Sequence, residues 1–177
     1  MKFKTILLIL IITGFYYNYS EKQSKPLEIA VIGLTHSHVG WVFDSNNIGN
    51  VEIIGIVEPN LDLAKRYSKA FNFSLDLVYS SIDEMLEQIN PEAVTSFGTT
   101  YEHLEVVKKA APKGIHVMVE KPMAVSVDHA IKMQELANKH DIHLITNYET
   151  TWYPTTHKAF DLIRNKNAIG DIRKIML

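Results

Sequence analysis

From Pro26 onward, short apolar runs alternate with amphipathic stretches of helical period, and this alternation leaves the chain few ways to fold. A continuous apolar run needs cover on both sides, whereas a helix with one apolar stripe needs a surface to lie on. A parallel sheet with helices on both faces meets both demands and is built from βαβ units. Strands are expected at Leu27–Gly33, Val51–Val57, Leu77–Tyr79 and Ala93–Phe97, then in the run Ile115-His116-Val117-Met118-Val119, and last at Ile142–Thr146. Asn60 is placed to cap a helix with inner face Ala64, Tyr67 and Phe71, and Ser81-x-x-Glu84 forms a capping box ahead of Ile82, Met85, Leu86 and Ile89. A further helix buries Leu104, Val107 and Ala111 and ends at Pro112-Lys113-Gly114, and Ser126 caps one that turns Val127, Ala130, Met133 and Ala137 inward. The expected fold class is α/β, a doubly wound parallel sheet of nucleotide-binding type over residues 26–147. After it, a helix with Ala159, Phe160 and Ile163 on its inner face runs to Gly170 and Ile172–Leu177 opens another strand. One strand cannot bury its own faces, so residues 148–177 read as the truncated beginning of a second α/β domain.

With 46% hydrophobic and 21% charged residues in a chain of 177, the composition is that of an ordinary folded domain. The net charge is −2 and the lysines and arginines are scattered, which offers no electrostatic footprint for a polyanion, so no nucleic-acid partner is expected. The absence of cysteine removes disulfides, thiolate nucleophiles and cysteine metal sites, and any redox role therefore needs a bound cofactor. At the N-terminus, Lys2 and Lys4 precede the mostly apolar stretch Thr5–Tyr17 and the polar stretch Asn18–Lys25. Residues 1–25 read as an export signal or, because Asn18 and Ser20 make a poor cleavage site, as an uncleaved anchor within residues 1–20. The protein is accordingly expected to be exported, periplasmic or extracytoplasmic, touching the membrane only through this segment.

In an open parallel sheet, ligands bind beyond the carboxyl ends of the strands. The fifth apolar run ends there on Glu120-Lys121-Pro122, which on its own fits either a strand-terminal ion pair or a catalytic edge. The first strand runs into Gly33-Leu34-Thr35-His36-Ser37-His38-Val39-Gly40, where a dinucleotide pyrophosphate would meet exposed amides and a helix N-terminus. Only Gly33 matches the glycine fingerprint; Thr35 and His38 stand at its second and third positions, and the Thr35 side chain pushes phosphates outward unless its hydroxyl bonds to them. His36 and His38 are assigned to capping and phosphate contact rather than to a metal, since no carboxylate or third histidine lies nearby in the sequence, and no metal site is assigned. Glu58, ending the second strand, is placed either as a solvated helix-entry acid or to accept hydrogen bonds from the adenosine ribose. In the second role it repels a 2′-phosphate, favouring NAD over NADP.

These features together resemble the N-terminal half of the Gfo/Idh/MocA oxidoreductases, a family of NAD(P)-dependent sugar dehydrogenases and their relatives. The resemblance extends from Leu27 to Leu177. It rests on Gly33, Glu58, Gly98-Thr99-Thr100-Tyr101-Glu102-His103, Gly114-x-His116-Val117-Met118-Val119-Glu120-Lys121-Pro122, and Gly170-Asp171-Ile172.

The resemblance implies a Rossmann domain followed by an α/β domain with an open sheet, which carries most of the substrate pocket and through which a homo-oligomer can form. It implies that Lys121 lies beside the nicotinamide and bonds to the substrate hydroxyl, that Glu120 contacts the nicotinamide ribose, and that Pro122 holds the strand exit in a fixed, cis-compatible geometry. Gly98, Thr99 and Thr100 would line the cofactor groove, with His103 counted among the cofactor-side residues of that motif. The family's Asp and acid/base His belong beyond Leu177, and His103, His140, His143 and His157 are read as structural rather than as stand-ins. Trp152 and Tyr153 are open between sugar stacking and packing at the domain junction. Three functions fit these expectations: an NAD-dependent dehydrogenase of a sugar or polyol, an NAD-dependent glycoside hydrolase of the same lineage, and a non-catalytic dinucleotide-binding module.

Overall fold

The computed structural model describes residues 25–46 and 50–174. Within them, strands β1 (Leu27–Ile32), β2 (Val51–Val57), β3 (Val78–Tyr79), β4 (Ala93–Ser96), β5 (His116–Glu120) and β6 (Leu144–Asn147) form one sheet in the order β3-β2-β1-β4-β5-β6. Every neighbouring pair is parallel. This is the doubly wound order, in which the chain reverses its direction of travel between β1 and β4. Helices α1 (Val39–Asn46), α2 (Leu61–Phe71), α3 (Ile82–Gln88), α4 (His103–Ala110) and α5 (Val127–His140) connect the strands, and α6 (Pro154–Phe160) follows β6.

Alternation along β1 sorts the core into two layers. Ile29 and Val31 pack with Val39 and Phe43 of α1 and Ala64 of α2, while Ala30 and Ile32 pack with Met85 of α3, Leu104 and Val107 of α4, and Met133 and Ala137 of α5. Successive strand residues point to opposite faces, so α1 and α2 cover one face and α3 to α5 the other. Phe43 stacks on Phe71 and Phe73, with ring centroids 5.0 Å apart in each case, which closes the α1–α2 layer.

The helix starts follow the capping chemistry of the sequence. Asn60 accepts hydrogen bonds from the Asp62 and Leu63 amides, Ser81 from Glu84 N and Ser126 from His129 N. The Ser81 box differs in its return bond, which runs from Ser80 N to the Glu84 carboxylate and so spreads the box over two residues. Val127 is 74% exposed, contrary to the inward face expected of it; as the first residue of α5 it precedes the turns whose Met133 and Ala137 are buried.

After β6 the chain changes character. Helix α6 and the π-turn Asp161–Asn165 that extends it stop short of the expected Gly170 and contain no buried residue, so the inner face expected of Ala159, Phe160 and Ile163 is uncovered, with Phe160 and Leu162 exposed. The strand expected from Ile172 is not formed at residues 172–174, which have no regular structure, and residues 175–177 lie outside the described residues. The expected signal or anchor falls outside them as well, apart from Lys25. Among the described residues no helix is long and apolar enough to cross a membrane.

Candidate active site at the carboxyl edge of the sheet

Strand register builds the site. Val57, Ile32, Ser96, Val119 and Thr146 pair in one continuous row across β2, β1, β4, β5 and β6. The residues that follow in each strand, Glu58, Gly33, Phe97, Glu120 and Asn147, therefore emerge side by side at the carboxyl edge. Hydrogen bonds from Gly33 N to Val57 O (2.8 Å) and Phe97 N to Ile32 O (2.7 Å) hold the exits to this line.

At the β1–β4 reversal the two exits touch. A Cβ on Gly33, whose φ is +79°, would lie 2.7 Å from Gly98 N and Cα, and one on Gly98 would lie 2.6 Å from Glu102 Oε2. Gly33 requires glycine both for this backbone approach and for its left-handed conformation, whereas at Gly98 the neighbour is the end of a side chain. Beside them is a cavity of about 230 Å³ lined by Gly33, Pro59, Ser80, Ser96, Gly98 and Glu102 among others. The Ser96 hydroxyl in its wall is buried without a hydrogen-bond partner. A crevice with two glycines and an unsatisfied hydroxyl at the switch point fits a dinucleotide.

Several residues expected to touch the cofactor are already engaged. Thr35 Oγ1 donates to Phe97 O at 3.2 Å and the His36 amide to the same carbonyl at 3.0 Å, so the Thr35 side chain is tied back to the β4 exit. Glu58 is 5% exposed; its Oε2 accepts from Leu34 N and its Oε1 from Asn60 N, each at 2.9 Å. Glu58 is thus a clamp joining the first turn to the start of α2, not the solvated acid of the simpler expectation, and a ribose hydroxyl would have to share oxygens that already accept bonds. Thr99 donates both its amide and its hydroxyl to Glu102 Oε2, capping the turn that begins at Thr100. His103 is 1% exposed, with Nδ1 3.1 Å from Met123 O, which places it beneath the Glu-Lys-Pro exit rather than in the crevice wall.

Glu120 is the centre of the densest polar cluster at the edge. It is 2% exposed; Asn147 Nδ2 donates to its Oε2 at 2.8 Å, and His38 Nδ1 lies 3.0 Å from its Oε1. Burial pushes the carboxyl up, but the bonds from Asn147, His38 and the Lys121 backbone outweigh it and hold the group below its ordinary value of 4.5. Lys121 Nζ is 3.7 Å from Glu120 Oε1, so the strand-terminal ion pair exists. Because Glu120 has closer partners, the ammonium is not consumed by it; the Lys121 side chain is 43% exposed at the edge, and the Lys121–Pro122 peptide is cis.

The fold also recruits residues that sequence reasoning did not assign. Asn147, treated as a domain boundary, ends β6 as Glu120 ends β5 and pairs with it in register. A polar residue closing an apolar strand was the available signal. Trp41 stacks on His38 with centroids 4.2 Å apart, and Glu149 Oε2 lies 3.5 Å from His38 Nε2. Neither carries a local sequence signature.

Comparison with known proteins agrees with this geometry. Residues 27–148 match the model of an oxidoreductase family with an NAD-binding Rossmann fold, Gfo/Idh/MocA. An uncharacterized oxidoreductase of Synechocystis sp. is 29% identical over 153 residues, covering 86% of this chain and 40% of the relative. Glucose-6-phosphate 3-dehydrogenase of Bacillus subtilis is 26% identical over 130 residues, covering 73% and 35%. The crystal structure of scyllo-inositol dehydrogenase from Lactobacillus casei with bound NAD(H) and scyllo-inositol shares the fold, with a TM-score of 0.70 at 20% identity over 84% of this chain and 43% of that one. The chain thus spans less than half the length of these relatives. The family match over most of the chain, on a sheet of the same winding, establishes that it belongs to the Gfo/Idh/MocA oxidoreductases.

Proposed function

We propose that these residues form the cofactor side of an NAD-dependent dehydrogenase that oxidises a secondary alcohol of a sugar or polyol. The observation that carries this reading is the half-exposed Lys121 ammonium at the end of β5, next to a buried carboxylate that does not depend on it. Gly33, Gly98 and the Ser96 hydroxyl would receive the dinucleotide, with Thr35, His36 and His38 on the phosphate side and Glu120 toward the nicotinamide ribose. NAD, when bound, supplies the hydride acceptor. The ammonium of Lys121 donates a hydrogen bond to the substrate hydroxyl oxygen and stabilises the negative charge that grows there as the C–H bond breaks. The carboxylate of Glu58 favours an unphosphorylated adenosine ribose, which supports NAD over NADP. Two relatives support the substrate class, since one is named for glucose 6-phosphate and another was crystallised with scyllo-inositol.

Calorimetric titration of the chain with NAD and NADP tests the binding half of the proposal: NAD binds more tightly. For turnover, the domain joined to a substrate domain reduces NAD when given the matching polyol, and Lys121→Ala lowers this by a factor of roughly 10²–10⁴ while NAD still binds. Absence of NAD binding at millimolar concentration, or undiminished turnover in the variant, would overturn it. An aryl glycoside cleaved without net NADH would move the assignment to a hydrolase of the same lineage.

A further inference from the structure

The pair His36-x-His38 lacks a carboxylate in its own stretch of sequence, but the fold supplies one from β5, 82 residues beyond His38. Ring nitrogens of His36 and His38 and a carboxylate oxygen of Glu120 lie within 4.8 Å of one another. We propose that, in the chain free of dinucleotide, His36, His38 and Glu120 form a binding site for one zinc-class divalent transition metal ion.

The donor set is the first argument. Two imidazoles and one carboxylate, with a fourth position for water, is an established set for Zn²⁺ and chemically similar ions. Bonds of about 2.0–2.1 Å in a tetrahedron put neighbouring donor atoms roughly 3.3 Å apart. His38 Nδ1 and Glu120 Oε1 are 3.0 Å apart and the His36 donor lies within 4.8 Å of both, so closure of the His36 ring onto that pair completes the site.

The surroundings are the second argument. Ligating histidines and carboxylates are normally fixed by outer hydrogen bonds that leave one atom free for the metal. Asn147 Nδ2 occupies Glu120 Oε2 at 2.8 Å, directing Oε1 toward the histidines. With the ion on His38 Nδ1, the proton of that ring sits on Nε2, 3.5 Å from Glu149 Oε2, an oxygen that is buried and otherwise has no hydrogen-bond partner. Stacking on Trp41 holds the His38 plane. Three contacts must yield: the 3.0 Å bond between His38 Nδ1 and Glu120 Oε1, where the ion takes the place of the proton, the 3.3 Å bond from His38 N to His36 Nδ1, and the approach of Lys121 Nζ to Glu120 Oε1, whose half-exposed side chain has solvent to swing into.

The test is titration of the untagged 177-residue chain with CoCl₂ and ZnCl₂, followed by calorimetry and the visible absorption of Co²⁺. One ion per chain is expected, with the intense bands of low-coordinate cobalt, displaced by zinc. His38→Ala and Glu120→Gln should each weaken binding at least tenfold, whereas His143→Ala should leave it unchanged; that variant breaks the other close imidazole pair, His116 and His143, whose centroids are 4.8 Å apart. Should a variant fail to fold, the parent chain still decides: zinc should shield His36 and His38, and not His116 or His143, from diethyl pyrocarbonate, as read by peptide mass spectrometry. No binding, binding unaffected by the His38 and Glu120 substitutions, or shielding at His116 and His143 instead overturns the proposal.

Discussion

At Lys121 a single ammonium separates binding from chemistry. Its side chain is half exposed and Glu120 is held by Asn147 and His38 without it, so Lys121→Ala should change stability by less than about 0.5 kcal/mol, as surface substitutions do. Turnover in the complete enzyme should fall by a factor of roughly 10²–10⁴, the usual contribution of a positioned proton donor, with NAD affinity altered little; paired kcat and titration measurements check this. Gly33 behaves in the opposite way. A methyl group there enforces a left-handed residue with a side chain and meets the Gly98 backbone, so Gly33→Ala should cost more than about 2 kcal/mol in a urea midpoint series, whether or not cofactor is present. His103 links the site to pH. Burial pushes its imidazole below the ordinary 6.5, an effect only partly opposed by the Met123 carbonyl and the charges of Glu120 and Glu102. The unfolded chain therefore binds a proton near pH 6.5 that the folded chain refuses. The stability is fully present above that pH, declines as pH falls below it, and levels off under the folded value. His103→Gln should flatten that part of the urea-midpoint profile relative to the parent.

Among the elements, α5 separates what a helix pattern can say from what packing decides. Met133 is fully buried against the α4 layer, so Met133→Ala should cost about 2–5 kcal/mol, whereas Val127→Ala should cost less than about 0.5 kcal/mol although both lie on the stripe predicted from sequence. Thermal or urea unfolding of the two variants distinguishes them. The periodicity identified α5, its Ser126 cap and its inward face because those are local facts about spacing and hydrogen bonding. It could not show where the helix stops touching its neighbours, which depends on the length of the sheet beneath. The same division runs through the site. Gly33, Glu58, Glu120 and Lys121 were legible because each ends an apolar run or opens a turn, and that mark is local. The sharing of Glu120 with His38 and Asn147 was not legible, since it arises only when β1, β4, β5 and β6 come into one register. The clamp made by Glu58 was hidden for the same reason: its partner, the Leu34 amide, lies across a strand pair. After β6, Ala159, Phe160 and Ile163 were expected on an inner face, but Ala159 and Phe160 are exposed, because nothing local determines what covers that face.

For the whole molecule, the reversal between β1 and β4 places the unsatisfied groups where two strand exits part, and ligand binding there should be felt by the entire sheet. Ser96 ends β4 with an unpartnered hydroxyl, Phe97 N bonds to Ile32 O across the reversal, and Gly33 and Leu34 are bonded on the other side of β1 to Val57 and Glu58. A dinucleotide that engages the folded crevice and not the unfolded chain adds stability by mass action, about 2.7 kcal/mol at a hundredfold excess over Kd. For a domain of this length that corresponds to a rise in Tm of roughly 5–11 °C. NAD should produce the rise and NADP a smaller one at equal concentration, because the carboxylate at the β2 exit disfavours a 2′-phosphate. Gly98→Ala makes the measurement specific to the crevice. The added methyl group meets only the end of the Glu102 side chain, which can turn aside, so the variant should fold; the turned carboxylate then intrudes on the cavity, and the NAD-dependent rise should shrink. Differential scanning calorimetry of parent and variant, each with and without NAD, reads both effects. A rise of the same size with NADP would remove Glu58 from its discriminating role, and an undiminished rise in Gly98→Ala would place the dinucleotide away from the β1–β4 reversal.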